Sequence, residues 1–239
     1  MQIFTNKTSF FSISKDIADL REQKGKEKET LSLVDKAIKF GHGFVVNLMW
    51  ERALSYQHLV MNGDKSALPK MKAATLAASK YVSDSGLKEW ESRAYRFLGR
   101  LHDYQGKFSS SIEDYKKAIS FVNLDPEPFR KFELEGFLSY AYIMSGKVDL
   151  GYRLAVQTFD KYNSSVLGKN LKKKDYPTWA IWKSGVPIRT LGAFLAKNIS
   201  IDRKIADKWI AEIEKDLESG DFGYRKSEIK ALKTKLQGN

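Results

Sequence analysis

Arg93, Arg96, Arg100 and Tyr104 recur at i, i+3, i+7 and i+11, a spacing that sets three guanidiniums and a phenol on one helix face. Arginine donates paired, charge-assisted hydrogen bonds from a planar fork, so such a stripe suits carboxylates or phosphates. The competing expectation is a solubilising face in which Glu89 pairs with Arg93 one turn on. Little else in the chain is arranged for chemistry. The histidines His42, His58 and His102 stand apart, with no HExxH or comparable ligand spacing, so no metal site is expected. Without cysteine the chain has no disulfide, thiolate zinc site or cysteine nucleophile. Phosphate-loop, dinucleotide-fingerprint and nucleophile-elbow motifs are absent. Carboxylates neighbour one another at Glu89/Glu91, Glu113/Asp114 and Glu133/Glu135, but residues one or two apart on a helix diverge. Solvated faces are expected for them, and neither enzyme activity nor a cofactor is expected.

A second basic feature lies at 163–176, NSSVLGKNLKKKDY, with Lys169, Lys172, Lys173 and Lys174. It reads as an exposed connecting loop, or alternatively as an electrostatic contact for RNA, DNA or anionic lipid. Residues 169–239 hold 16 Lys+Arg against 9 Asp+Glu, so they carry +7 of the net +12. No nucleic-acid-binding motif accompanies that charge.

The elements that position these residues are helical. Phe108, Ile112, Tyr115, Ile119 and Val122 draw one 3.6-period stripe, and Ile201, Ile205, Trp209, Ile213 and Leu217 draw another. Phe222, Ile229, Leu232 and Leu236 suggest a last one. Stop signals fall between the stripes at Gly25, Gly41, Gly43, Asn62-Gly63, Gly86, Gly106, Gly146, Pro177, Pro187 and Gly220, among others. About a dozen helices of roughly 10–18 residues joined by short turns are expected, with strand content close to nil.

Residues 92–125 read as two helices hinged at Gly106. Tyr95, Leu98-Gly99, Gly106, Phe108, Tyr115, Ala118 and Ile119 there resemble the tetratricopeptide repeat. Weaker units follow from Gly25, from Trp50 to Val82, and around Gly146. The turn glycines Gly63, Gly106 and Gly146 lie 43 and 40 residues apart, wider than that family's 34-residue unit. The resemblance covers about residues 12–162. It implies an all-α solenoid of stacked antiparallel helix pairs, with repeats over 1–162, the basic connecting loop at 163–176, and 177–239 as diverged repeats or a cap. It also implies a concave groove lined by the first helix of each pair: Arg93, Arg96, Arg100 and Tyr104, with Glu51 and His58 before them and Phe137 and Tyr140 after. The expected occupant is a protein or peptide, an acidic one in particular, and the protein would be an adaptor or scaffold. The alternatives are a nucleic-acid binder using the basic C-terminal surface, and a sensor paired with a separate effector.

At 239 residues, 42% hydrophobic and 13% aromatic, the chain can bury a substantial core. The N-terminus lacks the continuous apolar segment of a secretory signal, and no stretch approaches the roughly 18 uncharged apolar residues that span a bilayer. A cytoplasmic protein is expected.

Overall fold

The computed structural model describes residues 16–39 and 45–237. His42, the Gly41 and Gly43 stop signals and the N-terminal segment examined for a leader lie outside them. All regular structure among the described residues is helical. α1 (16–21) and α2 (Glu27–Lys39) come first, then α3 (Val45–Met61) with α4 (Ala67–Asp84). α5 (Glu91–Tyr104) pairs with α6 (Phe108–Phe121), and α7 (Arg130–Met144) with α8 (Val148–Ser164). α9 (Val166–Lys174), α10 (Tyr176–Ala196), α11 (Arg203–Asp216) and α12 (Gly223–Gln237) complete the described chain. Among the described residues no helix is long and apolar enough to cross a membrane.

Through α8 the helices form hairpins, each packed on the next. The turns explain why. Gly106 takes φ +71°, its amide bonds back to the Asp103 carbonyl, and Lys107 N–H reaches the His102 carbonyl at 2.9 Å. Gly146 repeats the arrangement at φ +90°, with Lys147 N–H on the Tyr142 carbonyl at 2.8 Å. A left-handed residue ends the helix and costs glycine nothing, so the next helix folds straight back. Small residues then let the partners close up. A Cβ on Gly99 would fall 2.5 Å from Tyr115 Cε1, and one on Gly151 would fall 2.6 Å from the Ser139 carbonyl oxygen. The apolar core follows the pairing. Trp50, Ala78 and Phe97 tie α3, α4 and α5 together, while Tyr115, Leu134 and Ala141 tie α6 to α7. Each buried aromatic contributes on the order of 2–3 kcal/mol. This nearest-neighbour core is how a solenoid is held.

The C-terminal third departs from that plan and from two expectations. The stretch expected as a loop at 163–176 is mostly helix. Ser165 caps α9 by accepting from Gly168 N–H at 3.0 Å, and Leu171 anchors it in the core. Four exposed lysines conceal an amphipathic helix there. Pro187 does not stop a helix either, because α10 runs through it for 21 residues. α10 packs on α7, α8, α9, α11 and α12, and Trp179, Phe159, Trp209 and Ile213 belong to the largest apolar cluster.

α12 then crosses to the N-terminal end. The Tyr224 ring lies 4.4 Å from the His58 ring, its hydroxyl donates to the Glu27 carboxylate, and Asn62 Nδ2 donates to that hydroxyl at 3.2 Å. Lys24 Nζ donates to Ser227 Oγ at 3.0 Å. The concave side is therefore bridged by α12, where the sequence led us to expect an open trough.

Candidate functional site

α1, α3, α5, α7, α10 and α12 each turn residues toward one interior cavity of about 300 Å³. Helical spacing decides which. On α5 the i, i+3, i+7 positions supply Arg93, Arg96 and Arg100, and on α10 the i, i+7 positions supply Trp182 and Arg189. Arg21, Arg130 and Arg225 arrive from α1, α7 and α12.

Six of these seven arginines meet carboxylates. Arg21 Nη1 holds Glu51 at 2.5 Å, and Arg93 Nη2 lies 3.1 Å from Glu127. Arg96 Nη2 donates to Glu133 at 2.6 Å, and Arg130 Nε donates to Asp125 at 2.9 Å. Arg100 donates to Asp103 at 2.9 Å and to the Tyr104 hydroxyl at 2.8 Å, and Arg225 pairs with Glu228 at 2.6 Å. Burial alone would raise the Glu133 carboxyl, but Arg96 and Arg130 pull it down to about 2. Burial pushes the His58 imidazole down to about 4, so it is neutral at pH 7.

Arg189 is the exception. It lines the cavity and makes no hydrogen bond or ion pair among the described residues. Its guanidinium carbon stands 4.2 Å from the centre of the Phe137 ring. Burial, with Arg225 and Arg100 nearby, draws its guanidinium down to about 9, still charged at neutral pH. Other wall atoms also lack a protein partner: Trp50 Nε1, Arg93 Nε, Arg96 Nη1 and Arg100 Nε are donors, while Gln57 Oε1 is an acceptor. Buried polar groups are normally satisfied. The surplus here is of donors, each covered by neighbouring side chains as the structure stands, so an occupant rich in acceptor oxygens would meet them as those side chains shift.

Of the residues singled out in the sequence, Arg93, Arg96, Arg100, Phe137, Glu51 and His58 line this cavity together. Tyr104 stands behind Arg100 as its hydrogen-bond partner, and Tyr140 packs edge-on against Phe108 at 6.1 Å. Lys169, Lys172, Lys173 and Lys174 are exposed on α9 and take no part in the lining. Lys172 lies 4.1 Å over the Trp179 ring. Two further expectations need correction. Arg93 pairs with Glu127 and not with Glu89, and Glu133 and Glu135 are buried where solvated faces were expected. Glu135 accepts from Thr158 at 3.2 Å and pairs with Lys161.

Arg189, Arg130 and Arg225 escaped the sequence reading. For Arg189 a signal existed: it is the single charge within the run SGVPIRTLGAFLA, where burial forces a reason for a guanidinium. No group of three metal-ligating side chains converges among the described residues. His102 Nδ1 lies 2.7 Å from Asp114, apart from the cavity. Comparison with protein-family models, with curated proteins and with solved structures finds no match to the chain.

Proposed function

We propose that the chain is a non-enzymatic binding protein, an adaptor built from diverged tetratricopeptide-like helix pairs, which takes an acidic group of a partner protein into its arginine-lined interior. The observation that carries this reading is the convergence of seven guanidiniums from five helices on one cavity with a surplus of unpartnered donors. Hydrogen bonds from guanidinium to oxyanions are among the strongest available to a protein. A cavity of about 300 Å³ has room for an acidic side chain or a short acidic segment.

The reading is tested by fluorescence anisotropy with a labelled glutamate-rich peptide and its glutamine counterpart. The acidic peptide binds and the neutral one does not. The pair change Arg100→Gln with Asp103→Asn, which removes both charges together, weakens binding by about tenfold. Equal binding of both peptides overturns the proposal.

A second reading rests on α9. Four lysines project from one nine-residue helix beside the Tyr176 and Trp179 rings. Contact with nucleic acid there predicts retention on RNA or DNA that falls steeply with salt. Salt-independent or absent retention removes that reading.

A further inference from the structure

The Phe137 ring is surrounded by cations. The guanidinium carbons of Arg189, Arg100 and Arg96 stand 4.2, 4.7 and 5.2 Å from its centre. Two of the three are answered, Arg96 by Glu133 and Arg100 by Asp103. Among the described residues Arg189 has no ion-pair partner, and its Nε and Nη2, both covered from solvent, meet no acceptor. Those two nitrogens form one edge of the guanidinium plane, the edge whose parallel N–H bonds fit the two oxygens of a carboxylate.

The backbone is shaped to keep this group in place. A Cβ on Gly185 would fall 2.6 Å from Arg189 Nη1, and one on Gly136 would fall 3.0 Å from Nη2. Glycines on two helices thus leave room for a guanidinium that forms no ion pair among the described residues. The cavity wall also carries the rings of Trp50, Phe97, Trp182 and Tyr224.

We propose that Arg189, with Arg100 and Arg96 around Phe137, forms a subsite for the carboxylate of a small organic acid whose planar apolar body lies against the aromatic wall. One uncompensated guanidinium calls for one negative charge. The proposal rests on the reading of this interior as a binding face, and it adds a free small acid as a ligand that competes with an acidic partner.

The experiment is calorimetric titration of the full chain with benzoate, acetate, inorganic phosphate and chloride, at neutral pH and low ionic strength. Benzoate saturates one site, acetate binds the same site more weakly, and phosphate and chloride bind more weakly still. Arg189→Met, which keeps the stem and removes the charge, weakens benzoate by at least about tenfold. Arg189→Lys, which keeps the charge and loses the fork, rescues only part of it. Gly185→Ala, which keeps Arg189 but crowds its guanidinium, weakens benzoate as well and serves if the Met variant fails to fold. Absence of saturable carboxylate binding, tighter binding of phosphate, or unchanged binding in both Arg189→Met and Gly185→Ala overturns the subsite. Acidic-peptide binding without benzoate binding removes the subsite and leaves the adaptor reading standing. Benzoate binding without peptide binding does the reverse.

Discussion

Lys183 and Arg189 sit six residues apart on α10, and the two sides of that helix treat their charges differently. On the α11 side, Lys183 is 1% exposed, with its ammonium 2.6 Å from Glu212 and 2.6 Å from Asp216. The Trp179 and Phe159 rings lie 4.7 and 5.0 Å from the same nitrogen. On the cavity side, Arg189 has an aromatic ring and no carboxylate. A cation that only holds the fold together must bring its own acceptors, because desolvating it otherwise costs several kcal/mol. The difference separates a charge that serves packing from one that the fold leaves open for something else.

The strongest way to break that comparison is to remove each cation in turn. Lys183→Met strands two carboxylates at the α10–α11 interface and destabilises the protein by about 3–5 kcal/mol, towards the lower end because Glu212 is partly exposed. Urea denaturation reads the loss as a shift of midpoint with unchanged slope. If Lys183→Met proves harmless, the packing role assigned to this face is wrong.

How far the sequence revealed this contrast depends on the element. The hairpin at 92–125 was readable because Gly106, Gly99 and Tyr115 perform local tasks, a reversed turn and a close helix contact, that few residue types can do. The face of α5 was readable too, since Arg93, Arg96 and Arg100 share it by spacing alone. Their partners were not. Glu133 lies 37 residues from Arg96, and nothing within α7 announces that its acidic positions meet α5 and not water. α9 reads as a loop because lysines outnumber its apolar anchors, and Pro187 reads as a break although α10 continues through it. Cavity residues on α10 and α12 stayed hidden because which face turns inward depends on how α12 returns to α1 and α3, a long-range contact with no local signature.

The contact between α12 and α3 also depends on pH. His58 lies against Tyr224 where α12 meets α3, with Glu22, Arg21 and Arg225 as the charges acting on it. Burial lowers its folded pKa from 6.5 to about 4. The folded state thus binds fewer protons than the unfolded one. Its contribution is complete above pH 6.5 and is lost as pH falls towards 4, a total of about 3 kcal/mol. Glu133 acts lower, since a carboxyl held from 4.5 down to about 2 gives stability that disappears only below pH 4.5. Between pH 7 and 4.5 His58 thus adds to the fall in stability, and His58→Phe flattens that part of the curve. An unchanged slope in the variant places the titrating group elsewhere.

Tyr224→Phe tests the same closure without charge. It leaves the Glu27 carboxylate short of one buried donor, a loss of about 1–2 kcal/mol. Hydrogen exchange locates the effect: α12 amides open faster, while those of α5 and α6, held by the Gly99–Tyr115 contact, keep their protection. Uniform acceleration throughout the chain means that α12 is part of the cooperative core and not a separately opening strut.

The smallest expected effect is the most discriminating. Arg189→Met removes a cation that has no ion-pair partner among the described residues, so no carboxylate there is stranded and no hydrogen bond there is lost. The methionine keeps an apolar stem against Phe137, and the desolvation penalty of the guanidinium disappears. The variant is expected to be as stable as the parent, or more stable by up to about 1 kcal/mol, the usual sign of a residue kept for function at the expense of stability. Lys183→Met and Arg189→Met, made on one helix and measured under one condition, thus differ in sign as well as size. Should both destabilise alike, Arg189 has a structural partner after all, and its place in the cavity wall loses its functional meaning.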